Sequence, residues 1–318
     1  MHRRLVHLLL ALSFGLTASL APQALAPRPG GPQPAPAQLA ASAAPEYGSA
    51  MGTLFIVGGN MSDNFGVPKK FIELAGGPAK KFVIVPTNGG NRNDDGTVKV
   101  YQEASVLAAW KRRGLTSVVM LHTWDPKVAD TEAFVKPLLD ADAVWFDGGR
   151  QWNMADSYMN TRSLAAFRTV LDRGGVIGGT SAGATILGEY LVRGDTSGPE
   201  VMMTEEPNHQ RGFGFLRRSA IDQHINSRNR WDDLIPVIRK YPQYLGLGLS
   251  EDTAIVVTGD RFEVVGRWKV TVHDGTKAYQ PWQKPYAVLD AGDVYDMKAR
   301  RIEAYGNGTT PAVGRPRP

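Results

Sequence analysis

No cysteine occurs anywhere in the 318 residues. That excludes disulfides, so stability must come from a buried core. It also excludes a thiol nucleophile, a cysteine-bound metal and a lipid carried on an N-terminal cysteine. No His-x-x-x-His pair and no carboxylate cluster with ligand spacing occurs, so neither a metal nor a cofactor is expected. Like charges never run five or more in a row. The formal charge of +5 is spread along the chain and carries no nucleic-acid footprint. Beyond residue 26 no apolar run is long enough to cross a bilayer. No internal repeat is present.

What is there begins with a targeting pattern. His2, Arg3 and Arg4 precede an apolar run from Leu5 to Leu20, and Ala24-Leu25-Ala26 offers small residues for cleavage. Residues 1–26 read as a secretory signal peptide, with a later cut near Ala40 or an uncleaved anchor as alternatives. The expected location is secreted, extracellular or periplasmic, with no membrane contact after signal removal. Losing Arg3 and Arg4 takes the charge from +5 to +3. Residues 27–50, rich in Pro, Ala and Gly, read as a flexible linker. Residues 51–305 read as one catalytic domain and 306–318 as a loose tail.

From Met51 strand-like and helix-like patterns alternate. Strands are predicted over 52–57, 82–85, 117–121, 143–146 and 176–179. Helices are predicted over 67–74, 98–113, 131–139 and 163–173. Such alternation predicts βαβ units and an α/β fold with a mostly parallel central sheet flanked by helices. Short runs at 254–257, 262–265, 270–273 and 286–289, separated by Gly and Asp, predict C-terminal β-hairpins added to the same domain.

Gly179-Thr180-Ser181-Ala182-Gly183 follows an apolar strand and opens a helical run over 184–191. A serine on a tight strand-to-helix turn needs small neighbours two residues away, and the helix start beneath it favours developing negative charge. Asp147-Gly148-Gly149-Arg150-Gln151 ends the preceding strand, where ligands of parallel sheets sit. The N–H groups of Gly148, Gly149 and Ala182 are candidates for an oxyanion hole.

A serine needs a base, and the base an orienting acid. Of six histidines, His2 and His7 leave with the signal. His224, beside Asp222-Gln223 at a strand end, and His122, also at a strand end, are the main candidates. Glu251 and Asp252 follow the strand 245–249, and spacing does not separate them.

Together these segments resemble the cyanophycinase family of serine peptidases, related to aspartyl dipeptidases and sharing the class I glutamine amidotransferase-like sheet architecture. The matching pieces run in one order: Gly58-Gly59, Gly148-Gly149-x-Gln151, the 178–184 elbow, Asp222-Gln223-His224 with Arg228-Asn229-Arg230, and Glu251-Asp252-Thr253-Ala254. The resemblance implies Ser181 as nucleophile, His224 as base and Glu251 as orienting acid. It implies Gln151, Asp222, Gln223, Arg228 and Arg230 as substrate-binding residues, and a homodimer. It implies cyanophycin, a polyaspartate bearing arginines through isopeptide bonds, or a related acidic peptide as substrate. Two positions depart from the pattern. Arg150 stands where the family often has an acidic or small polar residue, and Asp233 where a third basic residue is expected. The competing readings are a dipeptidase or other acyl hydrolase for small acidic peptides, and a non-catalytic binding protein of the same fold.

Overall fold

The computed structural model describes residues 44–93 and 95–308. The expected signal peptide, residues 27–43 of the expected linker and residues 309–318 of the expected tail lie outside the described residues.

The strands in chain order are β1 (Thr53–Val57), β2 (Lys81–Val85), β3 (Ser117–Met120), β4 (Ala143–Phe146), β5 (Val176–Thr180), β6 (Gly188–Tyr190), β7 (Leu216–Gln223), β8 (Leu245–Leu249), β9 (Thr253–Thr258), β10 (Arg261–Gly266), β11 (Val270–Asp274), β12 (Ala287–Leu289), β13 (Val294–Asp296) and β14 (Arg301–Ala304). The α-helices are α1 (Val67–Leu74), α2 (Glu103–Arg112), α3 (Pro126–Ala129), α4 (Glu132–Val135), α5 (Trp152–Tyr158), α6 (Arg162–Asp172), α7 (Ala182–Thr185) and α8 (Leu234–Lys240).

Continuous apolar runs such as β1, β2 and β4 suit strands covered on both faces. Leu54 and Ile56 of β1 point to one side of the sheet, with Val83, Val85, Val144 and Phe146. Phe55 and Val57 point to the other, with Phe82, Ile84 and Trp145. The two-residue side-chain period of a strand produces this split. On the second side α1 and α2 close the core through Phe71, Ile72, Leu107 and Trp110. On the first, α6 packs through Phe167 and Val170, together with Leu247 and Val272 of a second sheet.

The mixed α/β class is as expected, and the strands form two sheets. A nine-stranded sheet runs β14-β13-β10-β9-β1-β5-β4-β2-β3, and a five-stranded sheet runs β12-β11-β8-β7-β6. In the larger sheet β1, β5, β4, β2 and β3 pair parallel, while β9, β10, β13 and β14 extend it antiparallel. The C-terminal strands therefore divide between two sheets, with β11 and β12 joining the smaller one.

Three local expectations also change. The helix over 184–191 stops at Thr185. The carbonyls of Ile186, Leu187 and Gly188 accept from Phe213, Leu216 and Gly214, so the helical bonds cannot continue and the chain becomes β6. The helix expected from Val98 starts at Glu103, because Val98 pairs with Arg92 in a β-bridge. The helix over 131–139 is α4 followed by a 3-10 turn at Lys136–Leu138, where Pro137 lacks a donor.

The end of the expected linker belongs to the fold. Tyr47 is buried. The Arg217 guanidinium donates to the carbonyls of Pro45, Glu46 and Gly48 at 2.6, 3.0 and 2.7 Å. The expected boundary at residue 51 is thus too late. At the other end, the Gly306 N–H donates to Asp293 Oδ1 at 2.9 Å, so the first residue of the expected tail is tied down.

Candidate active site

The parallel strands β1, β5 and β4 bring their C-terminal ends to one edge, and the candidate residues gather there. Ser181 caps β5 with φ 55° and ψ −119°, a region a non-glycine residue rarely occupies. The glycines around it are steric requirements. A Cβ at Gly179 would lie 2.2 Å from the Gly183 carbonyl oxygen, and one at Gly183 would lie 2.1 Å from the Phe146 oxygen. The spacing Gly-x-Ser-x-Gly is what lets the chain reverse there.

His224 follows β7, also at positive φ, 56°. Its N–H donates to the Gly58 carbonyl at 2.7 Å. A Cβ at Gly59 would lie 2.2 Å from His224 Cε1, so Gly59 leaves the space the imidazole fills. The ring reaches Ser181 Oγ through Nε2 at 2.8 Å and Glu251 Oε1 through Nδ1 at 2.6 Å. Ser227 Oγ donates to the same Glu251 oxygen at 2.8 Å, and the Glu251 N–H donates to Asn226 Oδ1 at 2.9 Å.

Burial holds the His224 pKa below the usual imidazole value, with Arg228 and Arg230 acting in the same direction and Glu251 opposing them. Burial pushes the Glu251 carboxyl up, but the Ser227 and His224 hydrogen bonds outweigh it and keep the group below the ordinary glutamate range. A neutral imidazole between an ionised carboxylate and a hydroxyl can accept the hydroxyl proton.

The choice between Glu251 and Asp252 is geometric. Asp252 turns away from His224 and accepts from the Ser62 N–H at 2.7 Å and Asn60 Nδ2 at 3.2 Å. His122 is not beside Ser181. Its Nδ1 meets Thr87 Oγ1 at 2.9 Å and its ring packs on Tyr101, while burial pushes its pKa down to about 4.

Gly148 lies against the serine: a Cβ there would sit 3.2 Å from Ser181 Cβ and 3.7 Å from Oγ. Among the described residues, the Gly148 and Gly149 N–H groups donate no backbone hydrogen bond. Ala182 is the first residue of α7, so its N–H has no partner within the helix. Asn88, which the sequence reading missed, fixes this loop. Its Nδ2 donates to the Asp147 carbonyl at 2.8 Å, and its own carbonyl accepts from the Arg150 N–H at 2.7 Å. Gly149 allows that approach, since a Cβ there would be 1.9 Å from the Asn88 oxygen. The polar, glycine-rich stretch Thr87-Asn88-Gly89-Gly90 after β2 was the available signal.

The residues expected to bind substrate divide into two groups. Arg228 is exposed beside the relay. Arg230 is 5% exposed, and its nearest polar partners are Gln223 Oε1 at 3.5 Å and Glu200 Oε1 at 3.6 Å. Gln151 and Asp222 instead hold the frame. Gln151 Nε2 donates to the Val192 and Arg193 carbonyls at 2.7 and 2.8 Å. Asp222 is fully buried, and both its oxygens accept from Arg193, at 2.8 and 3.0 Å. Its carboxylate faces that guanidinium rather than open space.

Arg193 also pairs with Asp233, so the acid at 233, where a base was expected, partners a buried guanidinium. Only the misplaced charge at 233 hinted at this. Arg150 donates to the Asp195 carbonyl at 2.8 Å, and its buried Nε has no partner among the described residues. No group of His, Asp and Glu among the described residues is arranged to hold a metal ion.

A model of peptidase family S51 matches residues 54–265, a span that contains every residue of this relay. The chain belongs to peptidase family S51. Cyanophycinase of Geminocystis herdmanii is 26% identical over 234 residues, which span 70% of this chain and 80% of that protein. The cyanophycinase of a Nostoc species is 34% identical over 196 residues, 57% of this chain and 63% of that one. A crystal structure of a peptidase from an acI-B1 actinobacterium superposes with a TM-score of 0.57 at 24% identity, covering 77% of this chain and 97% of that one. The fold is shared with that enzyme. The S51 chain is a peptidase of the cyanophycinase type.

Proposed function

We propose that this chain is a serine-type hydrolase that opens peptide or isopeptide bonds in acidic, aspartate-containing chains, with cyanophycin as the leading candidate substrate. The observation that carries the reading is the continuous relay from Ser181 Oγ through His224 to Glu251, at 2.8 and 2.6 Å.

The steps follow from the relay. Ser181 Oγ attacks the scissile carbonyl carbon, and His224 Nε2 takes the hydroxyl proton. Glu251 stabilises the imidazolium that forms. The carbonyl oxygen becomes an oxyanion among the N–H groups of Gly148, Gly149 and Ala182, each donor contributing about 2.7–4 kcal/mol. The C–N bond breaks, and the leaving amine takes the proton from His224. Water, deprotonated by the same imidazole, then releases the acyl group and restores Ser181.

The nearby Arg150, Arg228 and Arg230 support an acidic substrate, because guanidinium groups bind carboxylates bidentately. Arg150 favours a second reading, a dipeptidase for small acidic peptides, since it adds positive charge where the family pattern carries little. Export by way of residues 1–26, a homodimer and a class I glutamine amidotransferase-like architecture belong to the same proposal.

The test is to incubate the purified protein with cyanophycin and, separately, with Asp-X dipeptides, and identify the products by mass spectrometry. Release of β-Asp-Arg, absent with Ser181→Ala, is expected. Hydrolysis of the dipeptides alone selects the second reading. Undiminished hydrolysis by Ser181→Ala refutes both.

A further inference from the structure

The segment that carries Glu251 continues into Asp252 and Thr253, and neither is part of the relay. Both organise a surface feature on the same sheet edge. The Arg267 guanidinium carbon lies 4.6 Å from the Phe65 ring centroid and 4.5 Å from that of Trp268. Arg267 and Trp268 are exposed. Among the described residues Arg267 forms no salt bridge with a carboxylate. A guanidinium stacked on aromatic faces keeps its in-plane N–H groups free for a carboxylate.

The backbone beneath this stack is fixed from the relay's own segment. The Arg267 N–H donates to the Asp252 carbonyl at 2.9 Å. The Trp268 N–H donates to Thr253 Oγ1 at 2.8 Å, and Thr253 Oγ1 donates to the Glu251 carbonyl at 3.1 Å. The Asp252 carboxylate holds Asn60 and Ser62, at the start of the loop that bears Phe65. Gly266 permits the turn, with φ 104° and a would-be Cβ 2.3 Å from the Asp252 oxygen.

We propose that Phe65, Arg267 and Trp268 form a carboxylate-binding platform that holds an acidic substrate chain away from the scissile bond. The inference rests on the acidic-substrate reading above. The platform follows β10, which is three strands from β5 in the order β10-β9-β1-β5. At about 4.8 Å per strand this is roughly 14 Å from Ser181. An extended chain covers that distance in about four residues. Oligomers long enough to reach the platform gain a charge-assisted contact that dipeptides cannot make. That contact makes the enzyme length-selective.

The experiment measures binding of diaspartate and octaaspartate to the full chain carrying Ser181→Ala, by calorimetry at low salt. The octamer is expected to bind about tenfold tighter than the dimer, in line with one charge-assisted contact. Adding Arg267→Ala should remove most of that ratio, Trp268→Ala should weaken it, and Arg267→Lys should retain part of it. Salt at 0.5 M should reduce it in the parent. An unchanged ratio in Arg267→Ala, or equal losses for both lengths, overturns the platform. If the enzyme with Ser181 intact cleaves no acidic peptide while the ratio behaves as described, the acidic-substrate reading fails and with it the platform's role in holding substrate, leaving a carboxylate-binding surface only. If it cleaves both lengths and the ratio is insensitive to Arg267, the platform alone fails.

Discussion

Replacing Glu251 with Gln tests the least visible part of the relay. The substitution keeps shape but removes the charge that faces the imidazole at 2.6 Å and accepts from Ser227 at 2.8 Å. In the step that forms an imidazolium, the lost attraction acts over about 4 Å between charge centres. At an effective dielectric of about 20 this is roughly 4 kcal/mol. That corresponds to about a thousandfold in rate. The assay is kcat on the best acidic substrate, with a thermal melt to establish that the fold is intact. The pH profile adds a second readout. Burial holds His224 below the usual imidazole value and Glu251 partly opposes it. Catalysis needs neutral His224, so the wild-type rate should fall only as pH drops through that lowered pKa. In Glu251→Gln the fall should move to still lower pH, because the group favouring the proton is gone. A folded variant within about threefold of wild-type kcat would refute the assignment of Glu251.

Other substitutions probe the frame. Gly59→Ala should lower kcat by about a hundredfold or more, measured alongside circular dichroism, because its Cβ would sit 2.2 Å from His224 Cε1 and displace the ring. Arg193→Met should cost about 3–5 kcal/mol in urea unfolding, since it leaves the fully buried Asp222 carboxylate unpaired. Burial pushes the His273 pKa down to about 4. A buried imidazole that resists protonation makes the unfolded state bind more protons between about pH 6.5 and 4, so stability should fall with pH across that window, by up to about 3 kcal/mol. Urea titrations at pH 7 and pH 4.5 should show a smaller loss for His273→Phe than for wild type.

The elbow was legible because its glycines stand at fixed spacing around the serine. Gly179 is demanded by the Gly183 carbonyl four residues on, a local requirement, whereas Gly183 is demanded by the Phe146 carbonyl on β4, which spacing does not show. The choice of His224 over His122 was not legible from spacing. It depends on Gly58 and Gly59 at the end of β1, more than 160 residues before the histidine they accommodate. The same holds for Glu251 against Asp252, adjacent carboxylates that the chain sends to opposite tasks. The βαβ half was readable from period and punctuation, whereas the second sheet was not. The glycines of β8, Leu245–Leu249, match a strand in either sheet, and only packing against Ile238 and Thr271 assigns them. The run 184–191 was misread because the carbonyls that would continue the helix are taken by residues 213–216, a long-range competition invisible to local propensity.

The most direct test of the central claim is covalent. Wild-type protein treated with a fluorophosphonate, then digested and sequenced by mass spectrometry, should carry the adduct on Ser181, and His224→Ala should slow labelling by several orders of magnitude. Labelling elsewhere, or at Ser181 at the same rate without the imidazole, would contradict the account.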